Sequence, residues 1–196
     1  VGFLPNIPEA VVAMLAASSI GAVWSSCSPD FGIKGVLDRF TQIEPKVIFS
    51  ANGYRYNGKY YNSFKKLNGI LEMLPTVQKV ILVGDHNLND LNLKTEFISY
   101  QEIMECNPNP LQFEQLPFEH PLYIMYSSGT TGPPKSIVHG AGGCLLKHLT
   151  EHRYHSNINP GDRVFYFTTC GWMMWNWLVS SLASGATIIL YDGAPT

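Results

Sequence analysis

The sequence has no paired-cysteine spacing, no long apolar run and no excess of one charge. Cys27, Cys106, Cys144 and Cys170 are scattered without a C-x-x-C pair. That excludes a zinc ribbon or a secreted disulfide framework and points to a reducing compartment, the cytosol. Polar or glycine residues interrupt every hydrophobic stretch before the roughly 20 residues that a membrane span needs. A formal net charge of −2 leaves no basic field to capture nucleic acid or anionic membranes. Internal repeats and low-complexity tracts are missing too. What is there is a chain of 196 residues, 45% hydrophobic and 14% charged, ample for a packed core. Small molecules are the expected partners.

Apolar runs of four to six residues alternate with segments of helical period, the pattern of βαβ units and a mostly parallel sheet flanked by helices. Val1 to Leu4 reads as a strand. Pro8 and Glu9 suit the first turn of a helix whose apolar face is supplied by Val12, Leu15 and Ala16, and Gly21 stops it. Ala22 to Trp24 reads as the next strand, Phe31 to Phe40 as a helix with Val36 and Phe40 on one side, and Lys46 to Ser50 as a buried strand. Leu71 to Leu74 ends a third helical segment, and Val80 to Val83 is another strand. From Gly84 to Pro117 the pattern weakens into surface loop with a short helix. Strands return at Leu122 to Tyr126, Val164 to Phe167 and Ala186 to Leu190, with a helix over Lys147 to Tyr154.

Ser127-Ser-Gly-Thr-Thr-Gly-Pro-Pro-Lys135 packs four hydroxyls, two glycines and one Lys into nine residues. Polyphosphate oxygens need such donors and a point charge, and glycines let backbone N–H groups approach closely. The rival reading is the loop G-x-x-x-x-G-K-[ST], in which Lys follows Gly and a helix begins at once. Here Pro133 and Pro134 separate Gly132 from Lys135, and the β-branched Ile137 and Val138 favour a strand. The expected arrangement is strand, loop, strand.

Tyr126 to Lys135 resembles the signature Tyr/Ser/Thr-Gly-Ser/Thr-Thr-Gly-x-Pro-Lys-Gly of the adenylate-forming ligases, with Pro133 at the variable position and Ser136 in place of the usual final Gly. Pro5 to Ala10, Ala16 to Val23, Asp38 to Phe40 and Glu44 to Phe49 are similar to the same family's acyl-CoA synthetases. Phe167-Thr-Thr-Cys-Gly-Trp-Met-Met-Trp-Asn-Trp177 stands where acetyl-CoA synthetases carry Gly-Trp and their acyl-pocket residues. Together with Ile137 to Gly143 and Leu182 to Thr187, this run resembles the acetoacetate-activating members.

The resemblance implies an α/β fold and residues 1–196 as an incomplete N-terminal AMP-binding domain, with the C-terminal domain and its adenylation Lys outside the chain. It implies ATP, Mg²⁺ and CoA as cofactor and co-substrates, acetoacetate as the acid, and acetoacetyl-CoA, AMP and pyrophosphate as products. The chain by itself is expected to be inactive. In the loop, Ser127, Ser128, Thr130 and Thr131 would contact phosphate or Mg²⁺, with the metal falling to Thr130 and Thr131. Gly129 and Gly132 would allow backbone approach, and Lys135 would reach the β- and γ-phosphates. Trp172, Met173, Met174, Trp175 and Asn176 would line the substrate pocket, although Trp175 with Leu178 and Val179 equally reads as core against the sheet. Asn176 or an indole N–H is a candidate donor to the β-keto oxygen. Ser25 to Phe31 aligns with a CoA-contacting loop, but Ser28-Pro29-Asp30 replaces its Phe-Gly-Gly and withholds a CoA assignment.

One further pattern stands apart: His148-Leu-Thr-Glu-His152 spells H-x-x-E-H with its histidines one helical turn apart and no third ligand in sight. His139 reads as a strand-end contact and His155 as a solvated helix-end residue.

Overall fold

The alternation of apolar runs and amphipathic segments folds into two layers of helix around a parallel sheet, as the computed structural model shows for residues 1–84, 95–107, 110–127 and 132–194. The first half runs through β1 (Gly2–Phe3), α1 (Pro8–Ser19), β2 (Ser26–Cys27), α2 (Ile33–Phe40), β3 (Val47–Ala51), β4 (Gly53–Tyr56), β5 (Lys59–Asn62), α3 (Phe64–Glu72) and β6 (Lys79–Val83). It continues through β7 (Glu96–Ser99), α4 (Tyr100–Met104), β8 (Pro121–Ser127), β9 (Lys135–Gly140), α5 (Ala141–Thr150), β10 (Arg163–Phe165), α6 (Met173–Ser180) and β11 (Thr187–Ile189). Five strands form one parallel sheet in the order β2-β1-β3-β6-β7. A parallel sheet needs both faces covered. On one face α2 and α3 bring Val36, Phe40, Phe64, Leu67 and Ile70 onto Phe3, Ile48, Val80 and Leu82. On the other, α1 meets Leu4, Ala51 and Val83 together with Trp175 and Val179 of α6.

The second helix matches its sequence pattern, with Val36 and Phe40 buried one turn apart. The first does not. Its buried residues are Ala10, Val11, Ala13 and Met14, while Val12 and Leu15 are 45% and 47% exposed. Ala22 to Trp24 also misses its expected place: the sheet strand is Ser26–Cys27, and Trp24 instead bridges to Tyr123 of β8. That bridge carries Trp24 N–H to Leu122 O (3.0 Å) and Ile124 N–H to Trp24 O (2.8 Å), joining β8 to the main sheet. Gly2 makes it possible, since a Cβ there would lie 2.7 Å from the Trp24 ring.

Beyond the bridge, β8 and β9 form an antiparallel hairpin, and β10 and β11 form a separate parallel pair. Helix α5 continues into a single π-helical turn, Glu151–His155, which presses His152 fully into the interior. Ser180 Oγ lies 2.9 Å from His148 Nδ1 and 2.9 Å from His152 Nε2, and its hydroxyl donates to Trp177 O at 2.8 Å. The H-x-x-E-H histidines thus meet a helix hydroxyl. Among the described residues no group of three or more His, Cys, Asp or Glu converges on a metal position. His139 lies near the end of β9 with its ring 5.5 Å from that of Tyr123, and His155 is exposed at the end of the π turn.

Burial holds the pKa of His152 and His148 below the ordinary value near 6.5. The unfolded chain therefore binds more protons than the folded one as pH drops below about 6.5, so stability is present above that pH and is lost on acidification. In the full-length protein the unfolding midpoint of this domain should fall between pH 7 and pH 5. His152→Gln should flatten that fall, which denaturant titrations at the two pH values would measure.

Candidate active site

Hairpin geometry places the Ser/Thr/Gly-rich segment. The ladder runs from Pro121↔Gly140 to Tyr126↔Ser136 and Ser127↔Lys135, so the loop spans the last pair and the strand, loop, strand order holds. Ser128, Gly129, Thr130 and Thr131 lie outside the described residues. Gly132 has φ +108°, a conformation that L side chains rarely adopt, and nothing among the described residues stands within 4 Å of where its Cβ would be. Lys135 is exposed at the start of β9 and forms no ion pair among the described residues. Its ammonium is available for an anion, and the ladder fixes its Cα opposite Ser127.

The strand that begins at Lys135 rules out a helix-cradled phosphate loop. It runs to Gly140, and α5 begins only at Ala141. The first amides of α5 are already used: Ala141 N–H donates to His120 O at 2.8 Å and Gly142 N–H to Phe118 O at 3.0 Å.

The Gly171 to Trp177 run is brought to the base of the same hairpin, and its side chains divide. Trp172 and Met173 face outward at 64% and 50% exposed. Met174 is half-buried. Trp175 is fully buried, and its Nε1–H donates to Asn6 Oδ1 at 2.9 Å. That makes Trp175 a core residue whose indole donor is already taken. Asn176 is 5% exposed, with its Nδ2 3.6 Å from the thioether of Met125 and its Oδ1 without a partner among the described residues. It lines a small cavity of about 10 Å³ with Met125, Tyr126, Ser25 and Gly171. A buried amide with only a weak sulfur partner is a costly group to leave unsatisfied and a natural recognition element.

Tyr126 closes the base. Burial pushes its phenol up to about 12, so the O–H stays on, and it donates to Arg39 O at 3.1 Å. The Arg39 guanidinium lies 4.8 Å from the ring of Phe31 and 5.7 Å from that of Tyr126. Sequence reading gave neither contact, because the partners lie 87 or more positions from the loop or on another element.

A second pocket of about 260 Å³ opens beyond the carboxyl ends of β1 and β2, where ligands sit in open α/β sheets. Asn6 follows β1, Ser28, Pro29 and Asp30 follow β2, and Tyr54, Arg55 and Asp192 are among the other residues that line it. Arg55 N–H donates to Asp192 Oδ2 at 3.2 Å, while burial raises the Asp192 pKa. The β4–β5 hairpin that supplies Tyr54 and Arg55 escaped the sequence reading, although Asn57-Gly58 between aromatic strands is a standard turn signal.

The chain matches a known family model, that of the AMP-binding enzymes, over residues 2–196. The chain belongs to the AMP-binding enzyme family. It is 52% identical over 202 residues to an acetoacetyl-CoA synthetase from Gallus gallus, covering 100% of this chain and 30% of that protein. It is 54% identical over 194 residues to the acetoacetyl-coenzyme A synthetase of Rhizobium meliloti (strain 1021), covering 98% of this chain and 30% of that one. A malonamoyl-CoA synthetase from Penicillium aethiopicum is 46% identical, over 99% of this chain and 28% of its own length. Among solved structures, acetoacetyl-CoA synthetase from Streptomyces lividans superposes with a TM-score of 0.91 at 47% identity, over 99% of this chain and 29% of that chain. The chain spans about 30% of the length of the curated relatives it matches. Among its described residues no helix is long and apolar enough to cross a membrane.

Proposed function

We propose that the full-length protein carrying this chain activates acetoacetate with ATP and passes the acyl group to CoA. The acetoacetate carboxylate attacks the α-phosphorus, forming acetoacetyl-AMP and expelling pyrophosphate. The CoA thiol then attacks the acyl carbon, and AMP departs with the electron pair of the broken C–O bond. A carboxylate needs this because its own oxygen is a poor leaving group, so the protein's task is to stabilise charge and position the reactants. The observation that carries the reading is the hairpin segment from Tyr126 to Lys135, with Gly132 at a φ that favours glycine and Lys135 at its exit without an ion pair among the described residues.

Within that loop, Lys135 is assigned to the β- and γ-phosphates, Ser127 and Ser128 to phosphate oxygens, and Gly129 and Gly132 to backbone approach. Thr130 and Thr131 would hold the Mg²⁺ that accompanies ATP, which neutralises phosphate charge. The exposed ammonium of Lys135, without an ion pair among the described residues, suits an anionic, metal-bearing ligand. Residues 1–196 are read as part of a larger N-terminal AMP-binding domain, consistent with the span of about 30% of the relatives' length. The four cysteines are unpaired, which suits the cytosol.

The acyl side of the reading rests on Asn176, with Trp172, Met173 and Met174 lining the approach. Acetoacetyl and malonamoyl groups, which name the relatives, both carry a carbonyl on the β-carbon. The buried Asn176 amide gives one Nδ2 hydrogen to the Met125 thioether, and its second hydrogen is a fitting donor to that oxygen. An acid without it leaves the donor unpaired at a cost of about 1–3 kcal/mol. In acid-dependent ATP–pyrophosphate exchange by the full-length protein, acetoacetate should therefore exceed butyrate in kcat/KM by about 10- to 100-fold. Asn176→Leu should shrink the ratio. Indifference of the wild type to the two acids, or a preference for acetate, would overturn the assignment.

A further inference from the structure

We propose that Gln42, just beyond α2, is a positioning residue that holds the exit of the phosphate loop and thereby the backbone of Lys135. The inference rests on the ligase reading of the full-length protein. Gln42 Nε2 donates to Pro134 O at 2.8 Å, across 92 positions of sequence, and also to Asp38 O at 2.6 Å. Both amide hydrogens are thereby committed, one to the end of α2 and one to the loop.

Pro134 has no N–H and lies one residue outside the last ladder pair, Ser127↔Lys135. Its carbonyl is the first backbone group that the hairpin no longer fixes, and it is bonded directly to the nitrogen of Lys135. On the entry side the same helix end acts again, because Tyr126 O–H donates to Arg39 O and the Tyr126 ring faces the Arg39 guanidinium. The last carbonyls of a helix lack partners within it, so the end of α2 has acceptors to offer. Entry and exit of the loop are thus tied to one rigid element packed on the main sheet through Val36 and Phe40.

Gln42 is exposed, which makes it a poor candidate for holding the core and a good one for holding a loop. Gln42 anchors backbone next to the Lys that grips the phosphates, so its loss should be felt where ATP is bound and cleaved. It should not be felt where CoA attacks a finished adenylate. Gln42→Glu is the sharpest variant, since its carboxylate faces two carbonyl oxygens with no donor. Gln42→Arg keeps N–H donors at similar reach.

The test compares full-length wild type, Gln42→Glu and Gln42→Arg in three measurements: ATP dependence of acid-driven pyrophosphate exchange, thioester formation from preformed acyl adenylate, and thermal unfolding. Gln42→Glu is expected to lower kcat/KM for ATP about five- to tenfold, the scale of one hydrogen bond. Thioester formation and Tm should stay at wild-type values, and Gln42→Arg should restore exchange to within about twofold. Equal loss in both half-reactions with a lowered Tm would make Gln42 merely structural, and unchanged exchange would remove its role; either overturns the proposal. Wild-type protein that shows no exchange with any acid would overturn the ligase reading itself, and this proposal with it.

Discussion

Lys135→Ala in the full-length protein is expected to slow acid-dependent ATP cleavage by about 10²- to 10³-fold, the usual cost of removing one preorganised group that meets developing charge. Thioester formation from preformed acetoacetyl-AMP should change by less than about threefold. The asymmetry follows from the order of the proposed steps. On that reading Lys135 meets the polyphosphate, and pyrophosphate has left before CoA attacks. Lys135 is exposed and forms no ion pair among the described residues, so the substitution should leave folding intact. Following each half-reaction separately by rapid quench would check this, and equal slowing of both would remove Lys135 from the phosphate grip.

Trp175→Ala should be the most damaging single change to the fold among the aromatic residues of the Gly171 to Trp177 run. The ring is fully buried among Leu4, Met14, Trp24 and Val179, and truncation of such a side chain costs about 3–5 kcal/mol. It also strips Asn6 Oδ1 of its 2.9 Å donor inside a buried site. Trp172→Ala, at a position 64% exposed, should cost less than about 1 kcal/mol. Denaturant unfolding of the full-length variants would separate them. Trp175→Phe supplies the discriminating control: a shift in acid preference without loss of stability would return Trp175 to the substrate pocket.

Those two tryptophans show what sequence could and could not convey. Both sit in one aromatic and Met-rich run, and helical spacing alone does not say which side faces the core. Asn6, the partner that decides it, lies 169 positions away. Helix α1 failed for a related reason. Val11, Val12, Met14 and Leu15 make it apolar all round, so the pattern selects no face. The sheet takes the side with Ala10 and Ala13, where small residues allow close approach. By contrast α2 carries Val36 and Phe40 among charged neighbours, and its face was legible. Ser26 entered the sheet against its polarity because its hydroxyl donates to Cys170 O at 2.6 Å, a partner invisible to local pattern. Edge strand β7 pairs on one side only and comes after an Asn-rich stretch, so it was read as loop.

The strand, loop, strand order of Tyr126 to Lys135 was legible because its signals are local. Hydroxyls, glycines and the Lys follow one another in nine residues, and β-branched Ile137 and Val138 announce the strand that keeps a helix away. The groups that brace it are not local. Arg39, Gln42 and Asn176 reach the hairpin only after the five-stranded sheet and α6 have assembled.

The most direct test is to identify the products of ATP cleavage by the purified full-length protein, with and without acetoacetate. Cleavage that requires acetoacetate and yields AMP and pyrophosphate, with acetoacetyl-AMP accumulating when CoA is withheld, is the expected result. Release of ADP and phosphate, or cleavage indifferent to the acid, would contradict the assignment of Tyr126 to Lys135 as the grip of an acid-activating ligase.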